Sequence, residues 1–82
     1  MIKFSKHALE QMEERGADPE EVEKAIRSGE EIPARKKRRA YRLNFQYDKI
    51  WGGRLYRTKQ VVPIVVEEAT DFVVVTVYVF YF

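Results

Sequence analysis

The run Phe72 to Phe82 constrains this chain more than any other feature, because every residue in it except Thr76 is apolar. A membrane-crossing helix needs about 20 such residues, so the run is too short to span a bilayer. Its β-branched and aromatic content predicts a strand with two faces that both require cover. Read with strict alternation, Phe72, Val74, Thr76, Tyr78, Phe80 and Phe82 share one face, and Val73, Val75, Val77, Val79 and Tyr81 share the other. Two short helices can cover only one of these faces. A contiguous apolar patch of more than a few hundred Å² is unusual on a monomer, so the expectation is a homodimer that hides the second face. The alternative is that Met1 to Phe4 or a basic connector folds back over it.

Two further strands precede the run. Tyr41, Leu43, Phe45 and Tyr47 alternate with Arg42, Asn44 and Gln46, the period of a half-buried strand. Asp48 to Gly53 reads as a reversal, and a second strand rises from Arg54 to about Val66. Pro63 places an edge or a bulge in it, since proline cannot donate to a ladder. A turn at Glu67 to Asp71 leads to the last strand. Upstream, Ser5 caps a first helix, with Phe4 and Leu9 spaced as a hydrophobic staple and Gly16 as its stop. Asp18-Pro19-Glu20-Glu21 opens a second helix with a capping box, and Gly29 ends it. Leu9 and Met12, then Val22, Ala25 and Ile26, give each helix a narrow apolar stripe. The fold class is α+β: one domain over residues 1–82, two N-terminal helices on an antiparallel sheet of three to four strands. Cysteine is absent, so neither a disulfide nor a thiolate metal site supports the core, and a cytoplasmic location is expected. No signal peptide or membrane association is read in the chain, and no metal or cofactor is expected.

Charge is unevenly distributed. Residues 1–33 carry a net −4, residues 34–60 a net +9 and residues 61–82 a net −3. A field of that kind attracts phosphate chains. Arg35, Lys36, Lys37, Arg38 and Arg39 form a basic connector, continued on strand positions by Arg42, Arg54, Arg57 and Lys59. Tyr41, Tyr47, Trp51 and Tyr56 are interleaved with these cations. Trp51, beside Gly52-Gly53, is the aromatic best placed for exposure, either as a packing lid or as a platform on which a base stacks. RNA is therefore the expected partner, with Arg35 to Arg39, Arg42, Trp51 and Arg54 as its binding residues. His7, the only histidine, sits near the start of the first helix, where the dipole favours a neutral imidazole.

The segment Phe4 to Gly16, the Pro19-Glu20-Glu21-Val22 turn and the strand Val75-Thr76-Val77-Tyr78 together resemble a family of small uncharacterised prokaryotic domains. More distantly, two helices before an antiparallel sheet are similar to the RelE, ParE and BrnT toxin superfamily. That resemblance implies a toxin-like protein cleaving RNA without metal through the 2′-hydroxyl, and a small antitoxin protein as partner. It implies His7, Arg57, Lys59 and Tyr78 as catalytic residues, with Arg57 serving the phosphate and His7 or Tyr78 moving protons. The chain departs from those toxins in having no helix after its last strand. The rival readings are an RNA-binding module without catalysis and a homodimeric interaction domain with an acidic protein partner.

Overall fold

The computed structural model describes residues 1–82. The elements in chain order are β1 (Ile2–Phe4), α1 (Lys6–Arg15), α2 (Pro19–Ser28), β2 (Glu30–Ile32), β3 (Arg39–Trp51), β4 (Arg54–Glu68) and β5 (Asp71–Tyr81). All strands join one sheet in the order β1-β5-β4-β3-β2, and both helices pack on the same face of it. This corrects the expected three to four antiparallel strands to five in a mixed sheet. The two additions are short edge strands: β1 runs parallel to β5, and β2 runs antiparallel to β3. Met1 to Phe4 thus extends the sheet instead of folding over it. Three-residue strands give too few alternations to register as a period.

Local chemistry sets the helix boundaries as expected. The Ala8 N–H donates to Ser5 Oγ at 3.0 Å, and Gly16 ends α1 in the left-handed region at φ +82°. Asp18 and Glu21 form the full capping box of α2, with Pro19 in its first turn. Ala8 and Met12 face the sheet, while Leu9, the expected staple partner of Phe4, is 47% exposed. The apolar stripe of α1 therefore rests on a small residue, which lets the helix approach the sheet closely.

β3 and β4 form a long hairpin closed by Gly52 and Gly53, both at positive φ, as a two-residue type I′ turn requires. The reversal is thus tighter than the expected Asp48 to Gly53, and Asp48 to Trp51 belong to β3. Pro63 is fully buried in the central strand, and two irregularities flank it. Pairing between β3 and β4 lapses opposite it, and the β4–β5 register slips between Ile64 and Val65. Ile64 pairs with Thr76 and Val65 with Val74, so Val75 has no partner across the ladder. This bulge breaks the strict alternation expected for the last strand. Phe72, Val74, Val77, Val79 and Tyr81 face the helices, while Val73, Thr76, Tyr78, Phe80 and Phe82 face the opposite side.

The core joins Ala8, Met12, Ala17, Val22 and Ile26 to Tyr41, Val61, Val65, Val74 and Val77. At one end, a Cβ built on Gly16 would lie 2.6 Å from Tyr81 Oη and 2.7 Å from the Trp51 ring. Gly16→Ala therefore combines positive-φ strain with a clash, whereas Gly53→Ala, at φ +85° in open space, carries only the strain. In urea denaturation Gly53→Ala should cost about 1 kcal/mol and Gly16→Ala clearly more, lowering the thermal midpoint by more than about 4 °C. Equal losses would show that Trp51 and Tyr81 do not pack against the helix end.

Candidate nucleic-acid interface

Of the ten basic side chains between residues 34 and 60, three are neutralised by acids from the flanking segments. Arg39 pairs with Glu67 at 3.0 Å, and Tyr41 and Glu67 raise its already high pKa further. Arg42 Nε donates to Glu30 Oε1 at 3.0 Å across the β2–β3 pair. Lys59 is only 6% exposed and lies on the helix-covered face, where its Nζ donates to Glu21 Oε1 at 2.7 Å and to the Gly16 carbonyl. Arg35, Lys36, Lys37, Arg38, Lys49, Arg54 and Arg57 have no carboxylate partner.

Of the two roles expected for Trp51, its contacts are those of a packing residue. Trp51 folds under the end of the sheet and stacks on Tyr81, centroids 4.9 Å apart and planes 16° apart. Tyr47 and Tyr56 close around the same ring. Tyr81 Oη donates to the Arg15 carbonyl at 2.6 Å. Trp51 therefore packs where α1 ends, because Gly16 leaves room there for its ring.

The aromatic side chains that do face outward are Tyr78, Phe80 and Phe82, at 45%, 51% and 58% exposure. They form a row along β5 on the face without helices, Tyr78 and Phe80 nearly parallel with centroids 6.5 Å apart. Beside the row run the polar side chains of Thr58, Gln60, Asn44 and Gln46, Gln60 donating to Asn44 at 2.8 Å. The basic connector crosses one end of this face, bringing Arg35 and Arg38 to Ile64, Thr76 and Tyr78. Phe80 and Phe82 were not expected to be functional. Their signal in the sequence is an unbroken run of aromatics at every second position, Tyr78, Phe80 and Phe82.

The four residues implied as catalytic do not converge. His7 is exposed on the first turn of α1, where Ser5 joins that helix to Val74 and Val75 of β5. Arg57 is exposed at the other end of the strand, its N–H donating to the Phe82 carbonyl at 3.1 Å. Eight residues of extended chain separate those anchor points, roughly 25 Å. Tyr78 lies on the open face between them, its ring 5.3 Å from the Arg15 guanidinium, and Lys59 lies behind the sheet. General acid–base transfer needs partners within hydrogen-bond reach of one substrate atom.

Tyr81 supplies a check on the aromatic cluster. Burial, and then the neighbouring Tyr47 and Glu21, push its hydroxyl up to about 12. A raised folded-state pKa means the neutral form is favoured in the native protein, so the stabilisation is complete below about pH 10 and is lost as pH rises toward 12. Urea titrations should show stability falling through that window in the wild type and falling less steeply in Tyr81→Phe. Tyr81→Phe should also start lower at pH 8 by about 1 kcal/mol, for the lost hydrogen bond to Arg15.

No helix is long and apolar enough to cross a membrane, and no group of His, Cys, Asp and Glu side chains is placed to hold a metal ion. Comparison with curated proteins and with solved structures returns no match. Residues 4–79 match the family described as Domain of unknown function (DUF4258), and the chain, with the open aromatic face described above, belongs to that family.

Proposed function

We propose that this protein binds single-stranded RNA across the open face of its sheet. The observation that carries the reading is the row Tyr78, Phe80 and Phe82, solvent-exposed on a face that no helix covers and flanked by cations without carboxylate partners. Exposed aromatics on a sheet offer π-faces for unstacked bases, and each stacked base contributes about 1–3 kcal/mol. The connector cations, held at one end of the same face, meet the phosphates. This is the reading of a binding module. The toxin reading, drawn from the resemblance to RelE, ParE and BrnT, would need His7, Arg57, Lys59 and Tyr78 to act from separated positions. It enters the test as RNA cleavage without added metal.

Fluorescence anisotropy with a labelled single-stranded RNA tests the proposal. Phe80→Ala should weaken binding about tenfold or more with the thermal midpoint little changed, because the ring is half in solvent. Replacing Arg35, Lys36, Lys37 and Arg38 by alanine should weaken binding and flatten its salt dependence. Absence of binding at low salt, or full affinity in Phe80→Ala, would end the reading.

A second reading rests on the outer edge of β5. The Val77 N–H and carbonyl, which point away from β4, are satisfied by Gln11 and Arg15 of α1. The same alternation turns the backbone N–H and carbonyl of Val79 and Tyr81 to the outer edge, and no strand pairs with them there. We propose that a second copy pairs along this edge in antiparallel fashion, placing two aromatic rows side by side. Light scattering at micromolar concentration should give twice the monomer mass, and Val79→Pro should return it to one. A monomer mass for the wild type would remove this dimer and leave the single-copy RNA surface intact.

A further inference from the structure

Where the basic connector crosses the open face it leaves a cleft of about 280 Å³ lined by Ala34, Arg35, Arg38, Ile64, Thr76 and Tyr78. We infer that this cleft seats a terminal phosphate monoester of the bound strand, a proposal that rests on the RNA reading above.

The lining has one sign of charge. Arg35 and Arg38 both border the cleft, neither pairs with a carboxylate anywhere in the protein, and no acidic residue contributes to the wall. The two arginines are held as a pair by the turn between them, in which the Arg38 N–H donates to the Arg35 carbonyl at 3.0 Å and Lys37 takes φ +66°. Thr76 and Tyr78 complete the lining, and neither hydroxyl has a hydrogen-bond partner within the protein. Arg15 lies against the Tyr78 ring from the strand edge and helps to fix its position.

Charge decides which phosphate fits. A backbone diester carries one negative charge, while a monoester carries about −1.5 to −2 near neutral pH and offers three terminal oxygens. Two guanidinium groups with no competing carboxylate match the higher charge, and guanidinium forks suit its oxygens. Position agrees with this assignment. The cleft shares Tyr78 with the aromatic row, so a phosphate seated there lies at one end of the stacking track, and the nucleotides that follow run toward Phe80 and Phe82.

The test uses one RNA octamer in three forms: both ends hydroxyl, 5′-phosphate only, and 3′-phosphate only. Titrated at fixed salt, one phosphorylated form should bind about tenfold tighter than the hydroxyl form, which identifies the end recognised. Inorganic phosphate at millimolar concentration should erase that gain without displacing the hydroxyl form. Arg35→Ala with Arg38→Ala should abolish the gain. Lys36→Ala with Lys37→Ala removes the same charge from the same connector but not from the cleft wall, and should weaken all three forms equally. Thr76→Val should reduce the gain without altering binding of the hydroxyl form. If the hydroxyl form binds and neither phosphate tightens it, the cleft assignment fails while the RNA surface stands. If the gain survives the double arginine variant, the phosphate lies elsewhere and the assignment is overturned. If no form binds, the failure belongs to the RNA reading itself.

Discussion

Val75 has no partner across the β4–β5 ladder, and the surfaces of this domain depend on that slip of one residue. In a strand of period two, moving the register by one sends every following side chain to the other face. Here the slip turns Val74 and Val77 to the same side, where both are fully buried beneath α1. Ala8, which touches this region, is equally buried, so small residues on helix and strand permit a close approach. Without the bulge the two valines would lie on opposite faces: keeping Val74 inward would drive Thr76 and Tyr78 under the helix, and keeping Val77 inward would turn Val74 to the open side. Pro63 is the companion of this irregularity: it pairs with Val77 on one side and interrupts the β3 ladder on the other. A central strand accommodates proline at the place where regular pairing is already relaxed.

The opposite end of the helix layer is tied down by polar groups. Glu21 Oε1 accepts from the Asp18 N–H at 3.0 Å to close the capping box and from Lys59 Nζ at 2.7 Å to join α2 to β4. Lys59 also satisfies the carbonyl of Gly16, one of the groups that a helix end leaves unpaired. Breaking one partner of such a buried pair costs more than the pair contributes, because the remaining charge stays desolvated. The aliphatic stem of Lys59 meanwhile fills space beside Tyr47 and brings its ammonium near that ring. A lysine that reads as part of a basic strand is thereby consumed in joining the two layers.

Much of this architecture could be read from the chain. The helix boundaries were legible because they depend on caps, and caps are local: Ser5, Gly16, Asp18, Pro19 and Glu21 occupy the expected positions. The inner face of β3 was legible from alternation, with Tyr41 buried and Leu43, Phe45 and Tyr47 partly covered. The short edge strands were not, since three residues carry no periodic signal and owe their strand form to the neighbour they pair with. The choice between packing and exposure for Trp51 was not legible, because its cover comes from Tyr81 and from the space above Gly16, contacts between residues far apart in the chain. The roles of Arg39, Arg42 and Lys59 were hidden for the same reason, as each finds its acid in another segment.

That pairing sharpens the electrostatics beyond what net charge conveys. The acidic flanks neutralise strand cations and one connector residue, and leave Arg35 to Arg38 unpaired on a turn. Between residues 34 and 60, unpaired positive charge therefore sits in two places, Arg35 to Arg38 on the connector and Lys49, Arg54 and Arg57 near the β3–β4 turn, whereas the aromatic row extends along β5 with mostly neutral polar side chains beside it. On the RNA reading proposed above, counterion release would make the contribution of the connector fall steeply with salt, but stacking on Tyr78, Phe80 and Phe82 would not depend on counterions. The two contributions are spatially separate and physically different. On that reading, a strand held by both would be recruited by the cations and retained by the rings, the charge governing association and the aromatic face the lifetime of the complex.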